Sequence, residues 1–275
     1  MKYLDCHVHM SKKLDDPGKM LAQLDEAGVA GAVVLSFPPE RFGEKCEADC
    51  PVKAKDRLKL VMDWAKQSER IYPFFWIDPM DEDALEQVDM AVEAGIASFK
   101  VICDRFYPYE DRPMEVWHYI AQKNKPILFH SGILYSPHPA SINNRPVHFE
   151  QLFTIPNLRF ALAHVSWPWH DECMALYGHW QYEREEQNTT TEMFIDTTPG
   201  TPKYYREEVL TKLYHTGIRI EDNILFGTDC VTDYNVDYCK IIRDRDQEIF
   251  ARIGVTQEQQ EKYFGGNLLR FLGKV

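Results

Sequence analysis

Apolar runs and amphipathic stretches alternate along the whole sequence, and eight such pairs follow one another without a linker or a break in composition. The runs are Tyr3 to His9, Gly31 to Ser36, Ile71 to Asp78, Ala97 to Ile102, Pro126 to His130, Phe160 to His164, Glu192 to Thr197 and Ile224 to Asp229. The second, Gly31-Ala32-Val33-Val34-Leu35-Ser36, is apolar at nearly every position, as in a parallel strand covered on both faces. Between the runs, residues 19–27 and 82–94 read as helices closed by Gly28 and Gly95. Residues 55–68 place Leu58, Val61, Met62 and Ala65 on one helical face. Strict alternation of strand and helix predicts a parallel sheet with helical crossovers. Eight units favour closure into a (β/α)8 TIM barrel over an open doubly wound sheet, and 275 residues suit a single barrel domain spanning 1–275.

In such a barrel the active site lies at the C-terminal ends of the strands. Side chains two apart on a strand share a face, so His7 and His9 project together and can offer two imidazole nitrogens to one metal ion. Three other runs end in a residue of metal-ligand type, namely His130, His164 and Asp229, and Lys100 lies near the end of the fourth run. Asp5 is expected on the face of His7 and His9, one layer deeper, as part of a supporting buried network. Two long loops, 37–53 and 131–146, rise beside these strand ends. Arg105, Tyr135, His138 and Arg145 lie on loops and are candidates for substrate contact. Trp167 and Trp169 either wall the pocket or pack against helices.

Acidic residues outnumber basic ones by 43 to 31, a net charge of -12 that disfavours nucleic acid and anionic membranes as partners. No run approaches the ~18 apolar residues of a membrane span. Met1-Lys2 runs directly into a strand, without a signal-peptide pattern. With that, seven scattered cysteines read as reduced thiols of a cytoplasmic protein. Cys46 and Cys50 form the one close pair and lack the second pair that a structural zinc site requires. The partner expected is a small-molecule substrate, with homo-oligomerisation left open.

These motifs together resemble the amidohydrolase superfamily, and more narrowly its branch of small lactonases, amide hydrolases and metal-dependent decarboxylases. The resemblance rests on Asp5-x-His7-x-His9, Lys100, His130, His164, Gly227-Thr228-Asp229 and the closing Gly266-Asn267-Leu268-Leu269-Arg270-Phe271-Leu272-Gly273. The turn Ser166-Trp167-Pro168-Trp169 departs from the glycine-containing turn expected after His164.

The resemblance implies a divalent metal, most simply a single Zn2+, held by His7, His9, His130 and Asp229; Mn2+ or a binuclear site are the alternatives. It implies that Asp229 both binds the ion and takes a proton from water. With one metal His164 contacts a substrate oxygen and Lys100 remains an ammonium; with two metals His164 is a ligand and Lys100 is carboxylated. The chemistry then expected is attack of an activated water on a lactone, ester or amide carbonyl. The rivals are a non-oxidative decarboxylase of an aromatic or unsaturated acid, with an arginine as carboxylate clamp, and a barrel with a purely structural metal.

Overall fold

The computed structural model describes residues 1–11, 16–39, 51–136, 139–199 and 201–274. Expectations for Cys46, Cys50 and His138 lie outside the described residues. The strands are β1 (Tyr3–Asp5), β2 (Val8–His9), β3 (Val29–Leu35), β4 (Ile71–Trp76), β5 (Ser98–Val101), β6 (Ile127–Phe129), β7 (Arg159–Leu162), β8 (Glu192–Asp196), β9 (Ile224–Leu225) and β10 (Cys230–Val231). The α-helices are α1 (Pro17–Ala27), α2 (Ala54–Ala65), α3 (Ala84–Ala94), α4 (Asp111–Gln122), α5 (His170–Glu186), α6 (Arg206–His215), α7 (Val236–Ile253), α8 (Gln257–Glu261) and α9 (Asn267–Phe271).

Every strand pairing is parallel, in the order β10-β2-β3-β4-β5-β6-β7-β8-β9, with β1 also on β3. The path starts on β10 and ends on β9, two pieces of one short segment, so the sheet is curled and TIM-barrel-like. Alternate side chains divide between its two faces. Leu4, Val33, Leu35, Phe74, Leu128, Phe194 and Leu225 pack together on one. Val34, Phe75, Phe99, Phe129, Phe160 and Ile195 pack on the other with helix residues such as Leu24, Val61, Val88 and Trp117. Burying both faces is why these strands read as nearly continuous apolar runs. Each large side chain so buried contributes about 1.5–3 kcal/mol.

The expected strand Tyr3 to His9 is interrupted, and the expected strand Ile224 to Asp229 is strand only over Ile224–Leu225, pairing resuming just past its end in β10. In the first, Leu4 and Cys6 pack on the inner face while Val8 packs on the outer. The alternation slips at a bend at Cys6, and His7 and His9 come to lie together just beyond it. Asp5 therefore does not share their direction. Its carboxylate accepts hydrogen bonds from the backbone N–H groups of His7 and Thr228 and from the hydroxyls of Thr228 and Tyr234. Asp5 thus ties the first strand to the turn before β10. Pro146–Thr154 forms a 3-10 helix. A π-turn over Lys262–Gly266 joins α8 to α9.

Candidate active site

Three of the expected ligand residues converge where the two interrupted strands lie side by side. His7 Nε2 is 3.2 Å from His9 Nε2, and Asp229 Oδ1 is 3.6 Å from the former and 3.3 Å from the latter. His7 is fully buried, His9 and Asp229 are partly open. Asp229 reaches this position from a left-handed backbone, φ 58°, which aspartate tolerates better than most residues. Burial pushes its carboxyl up, but the hydrogen bond with the His9 ring pulls the other way and the carboxyl lies below the ordinary carboxylate range.

The other ring nitrogen of His7 is what organises the cluster. His7 Nδ1 lies 2.8 Å from Asp196 Oδ2, and both residues are wholly buried. A carboxylate only accepts, so Nδ1 carries the proton and the lone pair is on Nε2. Burial and the Lys100 cation lower the His7 pKa to about 4, against the pull of Asp196, so the ring is neutral at pH 7. A lone pair thus faces the Asp229 carboxylate across 3.6 Å, an arrangement that a cation between them would relieve. Two imidazoles and a carboxylate are a donor set that suits a divalent metal, and a carboxylate behind a ligating histidine orients such a ligand. Asp196→Asn is expected to weaken Zn2+ binding by roughly 10–100-fold with an unchanged fold; competition with a chelating dye measures it, and unaltered affinity would remove Asp196 from this role.

Asp196 is a residue that reading the sequence missed. It is the last residue of β8, one short of the end of the run read from sequence as Glu192 to Thr197, so the strand-end rule would have found it only with the strand's true boundary. Thr198 carried no comparable signal. Its hydroxyl lies 2.8 Å from His164 Nδ1 and 3.1 Å from Asp196 Oδ2, and its backbone N–H donates to Asp196 Oδ1 at 2.7 Å.

His164 packs between His7 and His130, with ring centroids 5.2 and 5.0 Å away. It opens a run of three residues with positive φ, namely His164 (62°), Val165 (44°) and Ser166 (57°). For a β-branched valine this conformation costs on the order of 1–3 kcal/mol, so the surroundings must impose it. The Ser131 hydroxyl bonds Ser166 Oγ at 2.7 Å, and Ile133 N–H donates to the Trp167 carbonyl at 2.7 Å. Gly132, itself at φ 103°, is the other half of this fit, because a Cβ there would stand 2.3 Å from the Trp167 oxygen.

The structure does not bring His130 into the group formed by His7, His9 and Asp229. Its Nε2 lies 3.2 Å from the Ile133 carbonyl, which places the proton on Nε2 and the lone pair on Nδ1. Burial and the nearby His164 and Lys100 hold its pKa well below 6.5. Lys100 is buried on β5, and its Nζ has no hydrogen-bond partner among the described residues. Burial lowers its pKa to about 8, although Asp196 and Asp229 pull the other way, so at pH 7 most of it is still an ammonium.

The rim residues divide. Arg145 pairs with Glu172 of α5 and lies 5.2 Å from the Trp169 ring, so both are committed to holding a loop. Trp167 packs on His170 and Tyr205. Arg105 is half-exposed, 3.7 Å from Asp104, and Tyr135 is largely exposed. Trp76 closes the other side of the site, its ring 6.0 Å from that of His9.

The sequence profile of the Amidohydrolase family matches residues 4–274. No curated protein matches the chain. Among solved structures, the fold is similar to a probable 2-pyrone-4,6-dicarboxylic acid hydrolase from Acinetobacter baumannii, with 11% identity, 99% of this chain and 100% of that one covered, and a TM-score of 0.64. It is also similar to Amidohydrolase 2 from Bifidobacterium longum subsp. infantis, at 12% identity, 100% of both chains and a TM-score of 0.60. A third is dihydroorotase from Campylobacter jejuni, at 13% identity, 99% of this chain and 83% of that one, with a TM-score of 0.59.

Proposed function

The chain belongs to the Amidohydrolase family and is an enzyme of the metal-dependent hydrolase type, and from that premise we propose that it hydrolyses the carbonyl of a small lactone, ester or amide. We read the curled sheet as an eight-unit (β/α)8 barrel forming one domain, with the site at the C-terminal strand ends. The observation that carries the reading is the convergence of His7 Nε2, His9 Nε2 and Asp229 Oδ1, with Asp196 fixing the lone pair of His7.

His7, His9 and Asp229 would hold the metal, and His130 could add its Nδ1. The donor set suits Zn2+, and one ion suits a cluster of this size. When bound, the ion polarises the carbonyl and brings a water toward ionisation at neutral pH. Asp229 is a carboxylate at any pH near neutrality and half-open to solvent, so it can take a proton from that water and return it to the leaving group. The Lys100 ammonium, without a hydrogen-bond partner among the described residues, supplies a donor for the oxygen on which negative charge develops. Hydrolysis is favoured over decarboxylation because, of the two candidate clamps for a substrate carboxylate, Arg145 is already bound by Glu172 and Arg105 lies beside Asp104.

The test is a panel of lactones, esters, amides and aromatic acids with the purified, Zn2+- or Mn2+-loaded protein, followed by proton release and carbon dioxide evolution. Proton release from a lactone, ester or amide, abolished by a chelator and restored by the metal, is expected. Carbon dioxide from an aromatic acid with no hydrolytic turnover would make the enzyme a decarboxylase.

A further inference from the structure

We propose that Thr198 is a positioning residue that locks His164 in its Nδ1–H tautomer, so that the neutral ring presents a lone pair, and not an N–H, at Nε2. The argument is a proton count over four contacts. Asp196 Oδ2 receives Nδ1–H of His7 at 2.8 Å and faces the Thr198 hydroxyl at 3.1 Å, while Asp196 Oδ1 receives the Thr198 backbone N–H at 2.7 Å. The carboxylate has no hydrogen to give, so at the Thr198–Asp196 contact the hydroxyl must be the donor. Turning that hydrogen toward His164 would leave two oxygen lone pairs facing each other in a fully buried site, and would discard the stronger, charge-assisted bond.

With its single hydrogen used on Asp196, Thr198 Oγ1 can only accept from His164 Nδ1 at 2.8 Å. The hydroxyl cannot escape by rotating. A Cβ on Gly227 would lie 2.6 Å from Thr198 Cγ2, so the methyl is pressed against a position that only glycine leaves open. A β-branched side chain also has few χ1 states available. Asp196 therefore sets the tautomers of two histidines, His7 directly and His164 through Thr198. As a neutral ring His164 then accepts a proton or ligates at Nε2, and the donor role toward an oxyanion falls to Lys100.

The test uses the full chain labelled with 15N-histidine, free of metal and substrate, so its outcome is independent of the hydrolase reading. Long-range 1H–15N ring correlations distinguish the two neutral tautomers, and loss of one set of signals in His164→Gln assigns them. Wild type and Thr198→Ser, which keeps the hydroxyl, should show His164 protonated on Nδ1. Thr198→Val, which keeps the shape and contact with Gly227 but not the hydroxyl, should lose that signal and gain the Nε2–H pattern. An Nε2–H ring in the wild-type protein, or an unchanged Nδ1–H ring in Thr198→Val, would overturn the proposal.

Discussion

Asp229→Asn is expected to lower kcat by about 10³-fold and to leave the fold and melting temperature nearly unchanged. The fold survives because residue 229 sits in the left-handed region, which asparagine accepts as readily as aspartate. Its side chain is also partly open, and the asparagine amide can donate to the lone pair of buried His7 that the carboxylate faces. The chemistry does not survive. The amide has one acceptor oxygen where the carboxylate has two, and it cannot take a proton from water at neutral pH. It also removes the anion that His7 and His9 face. The check is kcat on whichever substrate the panel identifies, with circular dichroism and thermal melting alongside. Comparable turnover in a well-folded variant would exclude Asp229 as the base.

Lys100→Met is expected to move stability and activity in opposite directions. A free lysine titrates at 10.5 and Lys100 at about 8, a value that already includes attraction to Asp196 and Asp229. That difference corresponds to about 3 kcal/mol held against the folded state while the ammonium stays charged and buried. Methionine has similar length and no charge, so the metal-free variant should be more stable at pH 7 by roughly 1–3 kcal/mol. The pH dependence has a definite sign. Between about pH 8 and 10.5 the unfolded chain holds a proton at this lysine that the folded chain has released, so wild-type stability gains on the variant as pH rises through that window. Turnover should fall by roughly 10²–10³-fold, the cost of losing one donor at a developing oxyanion. Denaturant melts at pH 7 and pH 10 with kinetics at pH 7 decide it. A destabilised variant would mean that Lys100 has a stabilising partner, and undiminished kcat would remove it from the mechanism.

Residue type and spacing made much of this site legible. Alternating apolar runs and helices placed the strands, and histidines two apart marked where the first one ends. Asp229 could be read because it closes a run of the same kind, whereas Asp196 was hidden by a strand boundary placed one residue too far, at Thr197. What could not be read are effects of register and of distant partners. A period of two puts Asp5 with His7 and His9, and only the slip at Cys6 separates them. Arg145 looks like a free cation in sequence, but its partner Glu172 arrives from a helix 27 residues on. Thr198 is one threonine among many until Gly227 and Asp196 are brought beside it.

The two interrupted strands, β1–β2 and β9–β10, are neighbours, and Asp5 bonds Thr228 across 223 residues of chain. The candidate ligands sit on this same join, His7 and His9 from the first strand segment and Asp229 from the last. A cation there would act as a clasp, cross-linking two segments more than 200 residues apart in the chain and closing a long loop between them. Loop-closure entropy grows only slowly with length, so most of its cost falls in bringing these ends together at all. The first and last strands must then meet before the candidate site exists.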